Sequence, residues 1–179
     1  VVSGTGGEEA KEFSFTLQLT NAKGAKLEGS YEADINGTDT TVAVDASGKA
    51  TLNLKGGETI TINGIPDGTT YEVTETVPTA DGYTVDKTVE KGNITNGTTA
   101  KATFTNTRNV GNLTVTKKTT GNGLEEGYPN TLETYTITVN FIAPTGVTLT
   151  GTWTQGGQSE VVLATQDFEL AANESVVFT

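Results

Sequence analysis

The chain has 179 residues, a formal net charge of −11, and no Cys, His or Met. Without Cys or His it offers no zinc or haem site, no thiol nucleophile, no Ser-His-Asp triad and no disulfide framework, and no cofactor is expected. An acidic chain with few basic residues is a poor candidate for neutralising phosphates, so no nucleic-acid partner is expected, and no apolar run approaches the roughly 18 residues of a membrane span.

Threonine makes up about a fifth of the residues, a level that favours strands, where a β-branched side chain fits the pleat. Period-two alternation begins at Phe13, Phe15, Leu17 and Leu19, with Ser14, Thr16 and Gln18 on the opposite face. It recurs at Val42–Val44, Leu52–Leu54, Ile60–Ile62, Tyr71–Val73 and Val85–Val89. Turn chemistry separates these runs at Asn36-Gly37, Ser47-Gly48, Gly56-Gly57, Pro66-Asp67-Gly68, Asp81-Gly82 and Asn96-Gly97. Short strands punctuated in this way predict an all-β sandwich, with no convincing helix anywhere.

A strand over Lys101–Thr107 ends in Arg108-Asn109-Val110-Gly111, and a new alternating strand opens at Asn112. The predicted domains are therefore 1–108 and 111–179, and the second is short for an unaided sandwich. An internal repeat accounts for the shortfall. Thr120-Gly-Asn-Gly123 matches Ser3-Gly-Thr-Gly6, and Tyr135-Thr-Ile-Thr-Val139 matches Phe13-Ser-Phe-Thr-Leu17. Phe168-Glu-Leu170 and Ser175-Val176 match Leu52-Asn-Leu54 and Thr59-Ile60. The second copy has no counterpart of 64–106, and the first has no counterpart of Leu113–Lys117, which would fall just before Val1. The chain reads as a window on a longer array of similar domains.

The strand Leu113-Thr-Val-Thr-Lys117, the loop Val2-Ser-Gly-Thr-Gly-Gly7, Phe13-Ser-Phe-Thr-Leu17, Tyr71-Glu-Val-Thr-Glu75 and Phe104-Thr-Asn106, in this order, resemble the Cna-B-type domains of Gram-positive backbone pilins, nearest to the FctA type. The resemblance implies tandem immunoglobulin-like sandwiches, the second incomplete, in a pilus shaft or cell-wall-anchored surface protein outside the cell. It also implies a self-formed isopeptide bond between a first-strand Lys and a last-strand Asn, assisted by a central Glu. By position the Glu is Glu75, the Asn is Asn106, and Lys117 is the lysine of the second domain. Neither domain holds a complete Lys, Glu and Asn set in these residues.

Strand parity points the same way, because residues i and i+2 share a face. Tyr71 and Val73 put Glu75 on the apolar face, Ala102 and Phe104 do so for Asn106, and Leu113 and Val115 for Lys117. A polar side chain on a core face needs a partner. Burial would hold a lysine neutral and a glutamate protonated; such a Glu could polarise the Asn carbonyl and then shuttle protons as ammonia leaves. Lys11, on the parity of Phe13, is a rival nucleophile.

Other signals are weaker. Asp34, Asn36, Asp39 and Asp45 have calcium-loop residue types without ligand spacing and read as acidic turns. Trp153 reads as packing for the smaller domain. Tyr128-Pro129-Asn130 resembles part of a pilin-linking motif but lacks its lysine. The expected role is structural and not enzymatic, with neighbouring copies of the same subunit or repeat as partners and no membrane insertion. An adhesin module binding a host surface ligand is the alternative.

Overall fold

A computed structural model describes residues 1–77, 81–119 and 134–179. The Tyr128-Pro129-Asn130 motif and the Thr120–Gly123 loop lie outside them. The described residues are strands and turns with no α-helix, the all-β class expected from the alternation and the threonine content. They form two compact units, Val1–Asn109 and Val110–Thr179.

In the first unit, one sheet runs β5 (Lys49–Lys55), β2 (Glu12–Thr20), β7 (Thr70–Glu75), β9 (Val89–Asn93), and a second runs β4 (Thr38–Val44), β3 (Gly29–Ile35), β6 (Ile60–Ile62). A third, small sheet joins β1 (Val2–Ser3), β10 (Asn106–Thr107) and β8 (Thr84–Val85). Strand β2 alternates buried and half-buried along its length. Its Phe13, Phe15, Leu17 and Leu19 form the core with Ala33, Val42, Val44, Ala50, Leu52, Tyr83 and Phe104. Residues of both larger sheets fill one interior, which makes the unit a sandwich.

Two elements differ from the alternation pattern. Val85–Val89 is not one strand: β8 ends at Val85 against β10, and β9 starts at Val89 against β7, so the chain changes sheets between them. Lys101–Thr107 forms ladder pairs only at Asn106 and Thr107. Just upstream, Thr105 is bonded partly to a side chain: the Asp86 carboxylate takes the place of a backbone carbonyl.

The second unit carries β11 (Leu113–Thr116), β16 (Ser175–Phe178), β13 (Thr152–Gln155) and β14 (Gln158–Val161) in one sheet, and β12 (Thr134–Asn140) with β15 (Thr165–Ala171) in another. Val139, Phe168, Leu170, Val176 and Phe178 form its core, and Trp153 packs edge-on against Phe168 with ring centroids 5.0 Å apart. The repeat is visible in register. Phe13 faces Leu54 and Phe15 faces Leu52 across β2 and β5; Tyr135 faces Leu170 and Ile137 faces Phe168 across β12 and β15.

Candidate functional site

Strand β7 sits between β2 and β9, and its last residue, Glu75, pairs with Phe15. The backbone there is fully engaged, with Glu75 N donating to Thr88 O and Thr76 N to Ser14 O. Held in this way, the Glu75 side chain turns inward and is 3% exposed. Asn106 opens β10, flanked by Val2 on one side and Val85 on the other, and is 2% exposed. The ring of Phe15 packs 5.2 Å from that of Phe104, two residues before Asn106 and on the same face.

Asn106 Nδ2 donates to Glu75 Oε1 at 2.6 Å. The other oxygens of the pair, Glu75 Oε2 and Asn106 Oδ1, are buried without a hydrogen-bond partner. Burial raises the Glu75 pKa above the usual carboxylate value; the Asn106 bond opposes that rise, and the Asp86 carboxylate adds to it. A protonated Glu75 would supply one more donor to this acceptor-rich pocket. The carboxyl faces the amide nitrogen of Asn106, the leaving group of an amide exchange, whereas the residue pattern had it facing the carbonyl.

Strand β1 runs parallel to β10. Val1 donates its amine to Phe104 O at 2.7 Å, Asn106 N donates to Val1 O, and Arg108 N to Ser3 O. Val2 packs on the core. A residue joined to Val1 in extended conformation would share the face of Val2 and enter on the core side next to this pair.

Lys117 follows β11 in the second unit. Its backbone bonds Glu174 and Asn173, its side chain is half-buried, and Nζ sits 4.0 Å from the centroid of the Tyr135 ring. Leu113, on the same parity, is 43% exposed, so that face is only partly interior. Lys11 is held in an ion pair with Asp81 at 2.6 Å, which keeps it charged and raises its pKa, the opposite of what a nucleophile needs. The acidic turns cap backbone: Asp34 Oδ1 accepts from Gly37 N, and Asp45 Oδ1 from Ser47 N and Lys49 N. No group of three or more metal-ligating side chains occurs among the described residues.

Residue pattern did not point to Asp86 or to the Phe15–Phe104 contact. The alternation carried no signal for the former: Asp86 occupies a polar-face position between Val85 and Val89, and Lys87 is the residue that interrupts the apolar face.

A family model described as a domain of unknown function, DUF7601, matches residues 1–108. Over 75 residues the chain is 40% identical to the pilus tip adhesin Cpa of Streptococcus pyogenes, which upholds the resemblance to Gram-positive pilus and surface proteins. The alignment takes in 42% of this chain and 10% of that protein, so the chain spans about a tenth of its length. Among solved structures, a pilus-presented adhesin (Cpa) matches at TM-score 0.49 and 30% identity over 61% of this chain and 25% of that one. The major pilin of Streptococcus pyogenes matches at TM-score 0.44 and 27% identity over 61% and 45% of the two chains.

Proposed function

This chain belongs to the DUF7601 family, and we propose that it is a structural segment of a Gram-positive pilus or wall-anchored surface protein, displayed outside the cell, whose first unit is built to close a Lys–Asn isopeptide bond. Neighbouring copies of the same subunit or repeat are its partners. It turns over no external substrate.

The observation that carries this reading is the buried pair itself. A carboxyl whose pKa is raised contacts the nitrogen of a buried carboxamide, and each group keeps one unpartnered oxygen. Leaving buried acceptors unmet is costly, and an amine entering beside Val1 would meet that need. In the reaction the neutral amine nitrogen attacks Asn106 Cγ and a C–N bond forms. The amine gives up a proton, Glu75 relays one to Nδ2, and the Cγ–Nδ2 bond breaks to release ammonia. Glu75 ends as it began. The second unit's Lys117 would play the amine's part in its own domain.

A staple between the first and last strands carries a pull along covalent bonds and spares the sheet hydrogen bonds. If it restricts the unfolded chain as a disulfide does, a loop of about 100 residues contributes about 4–5 kcal/mol.

The test copies Asn112–Lys117 directly ahead of Val1, where the internal repeat places that strand, and weighs the intact protein. Closure removes one ammonia, about 17 Da, and Glu75→Ala prevents the loss; an unchanged mass in the unmutated extended chain would falsify the staple.

The second reading, an adhesin module, is favoured by the name of the 40% identical relative and by the exposed Val161 and Leu163 of the second unit. Saturable binding to a host matrix protein, weakened by Val161→Ser with Leu163→Ser, would support it.

A further inference from the structure

We infer that Asp86 is a positioning residue for the cross-link: by holding the backbone of Thr105 from both its polar groups, it sets the Asn106 carboxamide against Glu75. This rests on the staple reading above and goes beyond its three reacting groups.

Strand β8 ends at Val85, the ladder partner of Asn106. The next residue, Asp86, donates its N–H to Thr105 O at 3.1 Å and accepts Thr105 N–H on its side-chain Oδ1 at 2.9 Å. Both main-chain polar groups of the residue immediately before Asn106 are therefore satisfied by one neighbour. On the other flank, Asn106 N donates to Val1 O at 2.8 Å. The peptide that carries the reacting carboxamide is clamped from two sides.

The clamp matters because, although Phe104 is anchored in the core and its O accepts from Val1, no ladder bond fixes the backbone at Thr105. Positions 101–105 have no ladder pairing, and β10 is only two residues long. Without the Asp86 carboxylate, Thr105 N–H loses its acceptor and the backbone can rotate just upstream of Asn106. A shift of about 1 Å in a reacting group costs on the order of 100-fold in rate. The bond from Thr105 N–H is also the foremost of the contacts that hold the Asp86 pKa below the usual value, so the carboxylate is charged and engaged there. Its outer side is exposed, so its charge is screened by water and its main action on the pair is geometric.

Geometry and charge are separated by two substitutions. Asp86→Asn keeps an oxygen acceptor for Thr105 N–H and removes the charge; Asp86→Ala removes both. In the extended chain, well below its melting temperature, the rate of ammonia loss followed by intact mass should fall at least tenfold in Asp86→Ala. In Asp86→Asn it should stay within about threefold of wild type. Wild-type rates in Asp86→Ala, or an Asn variant as slow as the Ala variant, would overturn the assignment.

The chain without the added strand supplies an independent readout, hydrogen exchange of the Asn106 side-chain amide by NMR. Exchange should quicken at least about tenfold in Asp86→Ala and hold near wild type in Asp86→Asn. Equal exchange in all three proteins rejects the positioning role. No mass loss in the extended wild type rejects the staple, and the exchange result then decides the role of Asp86 by itself.

Discussion

Glu75 and Asn106 stand 31 residues apart in sequence, yet their side chains meet at 2.6 Å inside the first unit. The contact joins the end of a strand in one sheet to a strand of another. Both partners are almost fully buried, and the contact is the unit's candidate reactive centre.

That contact should be energetically coupled. Asn106→Ala leaves Glu75 buried without a donor, and Glu75→Ala leaves the amide without an acceptor. Each should destabilise the chain as it stands, without an added strand, by about 2–3 kcal/mol. The double variant should lose less than the sum, with a coupling of about 1–2 kcal/mol in a urea-melt cycle. Additive losses would show that the two groups do not interact.

The raised pKa of Glu75 fixes the sign of a pH effect. The folded state holds the proton more tightly than the unfolded chain. The stability this contributes is full below the unfolded value of about 4.3 and is lost as pH rises through the higher folded value. Glu75→Gln, which mimics the protonated acid, should remove that loss. Stability of the variant relative to wild type should therefore increase with pH across this window, measured by denaturant melts at successive pH values. A flat difference would contradict a raised pKa.

Gly4 has φ of +88°, and a Cβ there would lie 2.2 Å from Arg108 O. That oxygen also accepts Gly6 N–H in the seam between the first loop and the end of β10. Gly4→Ala should cost about 1–3 kcal/mol. In the chain extended with the lysine strand, it should also slow ammonia loss, because the seam aligns the entering strand. Gly37→Ala, where no atom lies near but φ is +89°, should cost stability without slowing cross-linking.

In the second unit, Leu170 is fully buried among Val139, Phe168, Val176 and Phe178. Leu170→Ala should lower that unit's stability by about 2–5 kcal/mol in a thermal melt. The exposed Leu163 should tolerate the same change within about 0.5 kcal/mol.

Much of this was legible in the residues because period-two alternation is a local property. Phe13 to Leu19 announces a strand and its buried face without reference to any other segment, and the same logic aimed Glu75 and Asn106 inward. The repeat was legible for a related reason: equal patterns form equal ladders, so Tyr135 and Leu170 meet in the register of Phe13 and Leu54. The split of 85–89 between two sheets and the shrinking of the 101–107 strand were not legible. They depend on which partner each backbone group finds, and Asp86 outcompetes a ladder neighbour for Thr105.

The sequence by itself determined the all-β class, the faces of the strands, and the absence of thiol and imidazole chemistry, since each follows from composition or from neighbours a few residues away. Only the tertiary structure decided that Glu75 faces the nitrogen of Asn106, that Lys11 is tied up by Asp81, and that Lys117 stacks on Tyr135. Those are contacts between segments distant in the chain. They are set by how strands pack and twist together, which strand parity does not encode.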